Sequence, residues 1–188
     1  MYRLLSLVVL SVSLVVPLVA QDSTKVELFG GYQYLRMDNA DGGGIGINAN
    51  GWDTSATFGL RKHFGLGVDV SGNYKTQLSS GSNFPVDVHL YTYTFGPVVS
   101  WHSGFFAHAL LGGAHGVPSG CALNSGSPDE CGSGVYNGFA TMLGGGLEVK
   151  VRKSIAIRIF ELDWVNLPFK DGGGSSNFRF ATGLVVRF

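Results

Sequence analysis

The feature that most constrains the fold is a strict alternation over residues 178–188. One set of alternate positions is bulky and mostly apolar: Phe178, Phe180, Thr182, Leu184, Val186 and Phe188. The positions between them are small, aliphatic or charged: Arg179, Ala181, Gly183, Val185 and Arg187. Because successive side chains of a strand point to opposite faces, the pattern predicts a β-strand with two unlike faces. A tilted strand of roughly 9–11 residues is long enough to cross a bilayer.

The same period of two recurs upstream and predicts eight strands in all. The seven further alternating segments are 26–34, 53–61, 66–75, 91–99, 105–112, 139–150 and 155–160. The seventh loses its parity around Glu161–Asp163, which predicts a bulge or a register change there. Long connections rich in Gly, Asn, Ser and Asp fall at 37–51, 76–85, 116–135 and 165–176. Short connections fall at 62–65, 102–104 and 152–154. The predicted fold is all-β, an eight-stranded antiparallel up-and-down barrel.

The composition favours a barrel in a membrane over one in water. Charged residues make up only 14% of the chain, against roughly 25% in soluble domains. A water-facing surface would carry many long Lys and Glu side chains, whereas small residues suit the narrow lumen of an eight-stranded barrel. We therefore predict a transmembrane barrel with its polar face inside. A soluble periplasmic barrel that binds a ligand in an apolar interior is the alternative, because it would show the same alternation.

Charges of both signs lie on the face that we assign to the lumen. They are Glu27, Asp53, Arg61, Asp69, Lys75, His108, Glu148, Lys150, Arg158, Arg179 and Arg187. Buried charges are costly unless they pair, so we expect a packed salt-bridge network. A narrow, poorly conducting pore through that network is the alternative.

The first twenty residues predict export. Arg3, the apolar stretch 4–16, Pro17 and Ala20 have the layout of a signal peptide that is cleaved before Gln21. We expect residues 1–20 to be removed and 21–188 to form one barrel domain. Export leads to an oxidising compartment, so Cys121 and Cys131, the two cysteines of the chain, predict a structural disulfide.

No motif in the sequence predicts catalysis or cofactor binding. The Gly runs 42–44, 144–146 and 172–174 lack the spacing of phosphate-binding loops, and the middle run lies in a strand, where Gly relieves crowding or allows a bend. The five histidines lack metal-ligand spacing. The formal net charge is zero, with no long basic run to attract nucleic acid. We expect a non-enzymatic protein with no cofactor, metal or nucleic-acid partner.

Several segments resemble the small eight-stranded outer-membrane β-barrels of Gram-negative bacteria, of the type found as the membrane domain of outer membrane protein A. The segments are 28–32, 144–149, 157–158, 163–164 and, above all, 177–188 with its terminal Phe188. The resemblance implies a place in the cell outer membrane, contact with its lipid, and recognition of the Phe188 tail by the barrel-assembly machinery during biogenesis. It implies periplasmic turns and extracellular loops, hence a porin-like barrel with a structural or surface-recognition role and no particular ligand.

Overall fold

The computed structural model describes residues 26–37, 47–78, 85–121, 131–133, 136–168 and 174–188. The predicted signal peptide lies outside these ranges, as do parts of the four predicted long loops. The strands are β1 (Val26–Met37), β2 (Ile47–Gly59), β3 (Phe64–Leu78), β4 (Pro85–Ser100), β5 (Phe105–Cys121), β6 (Cys131–Ser133), β7 (Tyr136–Arg152), β8 (Ile155–Pro168) and β9 (Gly174–Arg187). No helix in the described ranges is long and apolar enough to span a membrane.

The strands form one closed antiparallel barrel, as the sequence predicts. The order along the sheet is β4-β3-β2-β1-β9-β8-β7-β5-β6, and β4 also pairs with β5, which closes the ring. The first and last strands pair from Glu27 opposite Arg187 to Met37 opposite Asn177. The short β6 pairs with β5 alone and precedes β7 on the same edge. The wall therefore has eight strands, and β6 pairs with β5 beyond the rim of the wall.

The two ends of the barrel differ. Short turns join β2 to β3, β4 to β5 and β7 to β8, and the first and last described residues, Val26 and Phe188, lie beside them, where the Phe188 amide donates to the Val26 carbonyl at 2.9 Å. We call this the turn end and the opposite one the loop end. Gly104, in the second turn, has a φ of 90°, a conformation that favours glycine.

The strands reach further towards the loop end than the sequence predicts. The loops predicted at 37–51 and 116–135 are too long, because β2 begins at Ile47 and β5 continues to Cys121. Gly, Ser and Asn predicted loops there, yet ladder hydrogen bonds use the main chain alone, so a paired neighbour can extend a strand through such residues.

Large apolar side chains cover the outside of the wall, and charges lie within it. Leu184 is 57% exposed and Ile157 39%, whereas Arg158 is 6% exposed and Arg179 2%. All three tryptophans, Trp52, Trp101 and Trp164, are exposed. A soluble barrel with an apolar ligand cavity would have the reverse arrangement, so the structure confirms the predicted transmembrane type.

Strand β8 contains the predicted irregularity. Its register with β9 shifts between Arg158 and Glu161, which is the signature of a β-bulge. Arg158 is buried before the shift, and Glu161 and Asp163 are buried after it. Strict alternation from Arg158 would have turned both carboxylates outwards. The bulge thus brings two acidic side chains into the lumen.

The barrel lumen as candidate functional site

The lumen has three layers between its two ends. At the turn end a cavity of about 600 Å³ reaches inwards as far as His108, Leu110 and Glu161. A layer of buried ion pairs follows. Towards the loop end an apolar cluster fills the barrel: Leu35, Leu90, Leu110, Ala114, Ala140, Met142, Val165 and Leu167. This cluster was not predicted from the alternation, which indicated only a polar interior.

Arg179 is the centre of the ionic layer. Its Nε donates to Asp163 Oδ2 at 2.6 Å, and its two terminal nitrogens donate to Asp69 at 3.1 and 3.2 Å. One of them also donates to Glu161 Oε1 at 2.8 Å, and Asp53 Oδ2 lies 3.5 Å from the other. A planar guanidinium with five N–H groups can serve several carboxylates at once, which a lysine ammonium cannot do in one plane.

Arg158 and Arg187 extend the network towards the cavity. Arg158 donates from Nε and one terminal nitrogen to Glu148 Oε1, at 3.1 and 2.8 Å, and pairs with Glu161 Oε2 through the other. Its guanidinium carbon lies 3.9 Å from the centre of the Phe29 ring. Arg187 joins Glu148 to Glu27, donating to Glu27 Oε1 at 2.7 Å.

His108, Asp163 and Glu161 meet beside Arg179. The His108 Nε2 atom lies 2.9 Å from Asp163 Oδ1 and 3.9 Å from Glu161 Oε1. His108 is opposite Gly144 across β5 and β7, and Gly144 is opposite Asp163 across β7 and β8. The imidazole and the carboxylate therefore approach each other over a residue that has no side chain.

Two glycines of the run 144–146 clear this space. A Cβ at Gly144 would lie 1.8 Å from Asp163 Oδ1, and a Cβ at Gly146 would lie 3.0 Å from both the Phe106 ring and the Glu161 Cα. Both positions face the lumen. The run in the middle of β7 thus relieves crowding, as predicted for glycines in a strand.

The structure gathers most of the predicted lumen charges but not all of them. Asp53, Asp69, Glu148, Arg158 and Arg179 are buried in the ionic layer, together with the side chain of His108. Glu27 and Arg187 are partly exposed at the turn end, and Lys75 is half-buried on the side of the loop end.

Arg61 and Lys150 lie instead at the exposed mouth of the cavity. Strand β2 ends at Gly59, so Arg61 belongs to a turn. Lys150 lies in β7, just before the β7–β8 register shifts. Cys121 and Cys131 are register partners across β5 and β6, but their side chains lie outside the described set. Phe188 is exposed.

Sequence reasoning missed Glu161, Asp163 and Gln33, all of which contact Arg179. The parity change in the seventh predicted strand, which is β8, was the signal for the two acids. Strict alternation from Arg158 turns both outwards, and a shift of one residue there turns both inwards. The neutral partners, such as Gln33 donating to Asn73 Oδ1 at 2.8 Å, carried no comparable signal, since amides are common on both faces of a barrel.

Comparison with solved structures supports the fold. No protein-family model matches the sequence, and no curated protein matches it. Among solved structures, this chain is similar to the attachment invasion locus protein Ail of Yersinia pestis in complex with the heparin analogue sucrose octasulfate, at 17% identity and TM-score 0.66. The match covers 88% of this chain and 99% of the other.

Two further structures show the same architecture. Neisserial surface protein A matches at 10% identity and TM-score 0.56, over 87% of this chain and 97% of the other. The outer membrane protein OprG of Pseudomonas aeruginosa matches at 10% identity and TM-score 0.52, over 88% and 96%. At such identities the likeness concerns the fold. It shows that the chain has the fold of the small eight-stranded outer-membrane β-barrels, and the apolar exterior is that of a transmembrane barrel.

Proposed function

We propose that this chain is a non-enzymatic integral outer-membrane protein whose closed barrel supports extracellular loops with a structural or surface-recognition role. The filled lumen is the observation that carries the proposal. Arg179 and its carboxylates close the middle of the barrel, and the apolar cluster around Met142 fills the part above them. A rigid scaffold with loops at one end is a common arrangement for binding proteins.

The pore alternative has less support. An ion that entered the cavity from the turn end would have to pass a guanidinium held by four carboxylates. It would then meet the apolar side chains of Leu35, Met142 and Leu167, which offer no ligands to replace its water. We therefore expect the native barrel to conduct poorly or not at all.

The length of the strands supports a role at the loop end. Strand β5 has 17 residues, which rise roughly 40 Å along a barrel axis at the usual tilt. The apolar band of an outer-membrane barrel is only about 25 Å tall. We propose that the excess projects outwards and that the β5–β6 hairpin, with the segment 122–130 between its strands, is the main recognition surface.

Sulfated polysaccharides are not the ligand that this chain's own charges favour. The Yersinia pestis protein binds a heparin analogue in its crystal. Here the predicted loops 37–51, 76–85, 116–135 and 165–176 carry five acidic residues and one lysine. Polyanions are attracted by positive potential. We therefore expect no heparin binding and a ligand that is neutral or cationic.

We also propose that residues 1–20 are a cleaved signal peptide and that the Phe188 tail engages the barrel-assembly machinery. The exposed Phe188 ring at the end of β9 supports the second proposal. Mass spectrometry of the purified protein should give Gln21 as the first residue. Deleting Phe188 should reduce the amount of barrel assembled in cells, whereas a Phe188→Tyr change should not.

We further propose a disulfide between Cys121 and Cys131. Their backbones are directly opposite in an antiparallel pair, which sets their Cα atoms about 4.5–5.5 Å apart. Disulfides span Cα separations of about 4.4–6.8 Å. Intact-mass measurement after alkylation, with and without prior reduction, tests the proposal: alkylation only after reduction supports it.

Two experiments test the proposed function. In planar bilayers the purified barrel should show no steady conductance under conditions where a porin conducts. In cells, an epitope inserted in 122–130 should be accessible to antibody on intact bacteria. The same epitope placed after Lys62 in the β2–β3 turn should be accessible only after the outer membrane is permeabilised. Steady conductance, or the opposite accessibility pattern, would contradict the proposal.

A further inference from the structure

Three potential metal ligands converge in the lumen from strands that are not neighbours in the sheet. His108 is on β5, Glu161 and Asp163 are on β8, and Gly144 of β7 leaves the space between them open. One ligand atom from each of the three side chains lies within 4.8 Å of the other two. Chemically the set is one imidazole nitrogen and two carboxylate oxygens.

Two of these atoms are buried without a hydrogen bond. His108 Nε2 and Asp163 Oδ1 are both inaccessible to solvent and make none, although they lie only 2.9 Å apart. At this separation their geometry is outside that of a hydrogen bond. Buried polar atoms usually have a partner. Two such atoms, close together and without a hydrogen bond, suit a third atom bound by both.

The separations fit one small ion. Zinc bonds to imidazole nitrogen and carboxylate oxygen are about 2.0–2.2 Å, so tetrahedral ligands are roughly 3.3–3.5 Å apart. The His108–Asp163 distance of 2.9 Å and the His108–Glu161 distance of 3.9 Å lie on either side of that value. Small rotations of the side chains would bring both distances to it.

Arginines already hold both carboxylates. Asp163 Oδ2 accepts from Arg179 Nε at 2.6 Å, and Glu161 Oε2 pairs with Arg158. Glu161 Oε1 accepts from Arg179 at 2.8 Å and keeps a second lone pair for an ion. Metal-binding carboxylates commonly have such outer partners, which fix their orientation. Here the arginines leave Asp163 Oδ1 free to face His108.

Charge and access also favour a cation. The ion-pair network, as far as it is described, holds three arginines, 158, 179 and 187, against six carboxylates: Glu27, Asp53, Asp69, Glu148, Glu161 and Asp163. An added divalent ion would offset part of this excess of acid. The turn-end cavity touches His108 and Glu161, so an ion can reach the site from that end, past the exposed Arg61 and Lys150 at the mouth, and keep one water molecule as its fourth ligand.

We propose that His108, Glu161 and Asp163 bind one divalent transition-metal ion, of the kind that accepts mixed imidazole and carboxylate ligands, with zinc as its representative. The ion would join β5 to β8 across the glycine of β7. Its binding does not depend on what the loops recognise.

The test uses the full mature chain without an affinity tag, folded in detergent micelles and stripped with a chelator. Calorimetric titration with Zn²⁺ should give one ion per chain, and Co²⁺ should give the visible absorption of a four-coordinate site. His108→Asn or Asp163→Asn should weaken Zn²⁺ binding by more than the roughly 10–100-fold that changes around a metal site produce.

Two control variants keep the result specific. Glu27→Gln removes a partly exposed carboxylate at the edge of the network, where solvent screens its charge, and it should weaken Zn²⁺ binding far less than His108→Asn does. The double variant His63→Asn/His102→Asn removes a close pair of imidazoles elsewhere at the turn end, whose ring centres are 5.2 Å apart, and should still bind one ion. The heat-modifiable mobility of each variant on gels reports whether it is folded.

Three results would overturn the proposal. They are the absence of stoichiometric Zn²⁺ binding to the native barrel, full binding by folded His108→Asn, and loss of binding in the His63/His102 variant. If His108→Asn does not fold, X-ray absorption of the zinc-loaded native barrel decides. One imidazole with oxygens near 2.0–2.2 Å, the usual zinc bond lengths, supports the site, and any other number of imidazoles contradicts it.

Discussion

The two faces of the barrel wall are made by the same strands, yet they follow different rules. On the outside, Leu143 is exposed beside other apolar side chains and has no specific partner. On the inside, Arg179 contacts named atoms of four carboxylates. Apolar character alone satisfies lipid, whereas a buried charge needs particular partners. Neighbouring residues of one strand should therefore differ sharply in their tolerance of substitution.

The largest difference should appear when the same residue is placed on both faces. Arg179→Met leaves the carboxylates of Asp53, Asp69, Glu161 and Asp163 without their shared cation. We expect it to lower the free energy of unfolding by about 3–5 kcal/mol. Leu143→Met keeps the volume and apolar character and should change it by less than about 1 kcal/mol. Equilibrium unfolding by denaturant in lipid vesicles measures both.

Equal effects of the two methionine variants would contradict the distinction between the faces. Such a result would mean that the ion pairs of this layer contribute no more to the free energy of unfolding than lipid contact does.

The destabilisation caused by a charge on the outer face should depend on how deep in the bilayer the charge lies. Leu143 is near the middle of β7, so Leu143→Arg should lower the free energy of unfolding by about 2–4 kcal/mol. Phe64 is next to the β2–β3 turn, and Phe64→Arg should cost only about 0–1 kcal/mol. The same vesicle assay applies. A larger loss of unfolding free energy for Phe64→Arg than for Leu143→Arg would mean that the bilayer centre lies near the turn end and not at the middle of β7.

Two glycines offer a smaller but closely matched comparison. A Cβ at Gly144 would overlap the Asp163 carboxylate, whereas at Gly30 nothing lies within 4 Å. Gly144→Ala should therefore cost about 1–3 kcal/mol through overpacking, and Gly30→Ala should be neutral or slightly stabilising. Equal losses would show that strand propensity, and not room for Asp163, sets the requirement for glycine.

The contrast between the outer and inner faces also explains which parts of the structure the sequence predicts. The outer face needs only apolar residues at alternate positions, so period two in segments such as 178–188 was enough to predict eight strands, their order and the membrane-facing side. The strand ends were less predictable, because the neighbouring strand and not the local residues decides where pairing stops.

The lumen could be predicted only as a list of charges. Its pairings depend on register, and the bulge between Arg158 and Glu161 decides that Glu161 and Asp163 point inwards. The carboxylate partners of Arg179 come from β2, β3 and β8, which no spacing along the chain reveals. The same holds for His108, whose nearest carboxylates are more than fifty residues away. The apolar cluster at the loop end was not predicted, because most of its members lie beyond the ends of the alternating segments: Leu35, Leu90, Ala114, Val165 and Leu167.

The smallest effect is expected at the turn end, where the two environments meet. The Glu27 and Arg187 side chains are 28% and 18% exposed, so solvent screens their ion pair. Glu27→Gln should lower the free energy of unfolding by at most about 1 kcal/mol, and added salt should reduce that difference. A loss as large as that of Arg179→Met would show that the cavity is closed to water at this end.

The most direct test of the two faces needs no substitution. Methyl groups of the native barrel in lipid nanodiscs can be examined by NMR for nuclear Overhauser contacts with the lipid acyl chains. We predict contacts from Leu111, Leu143, Ile157 and Leu184, and none from Leu35, Met142 or Val185. Acyl-chain contacts from the second group, with none from the first, would contradict a barrel that is apolar outside and closed by ion pairs within.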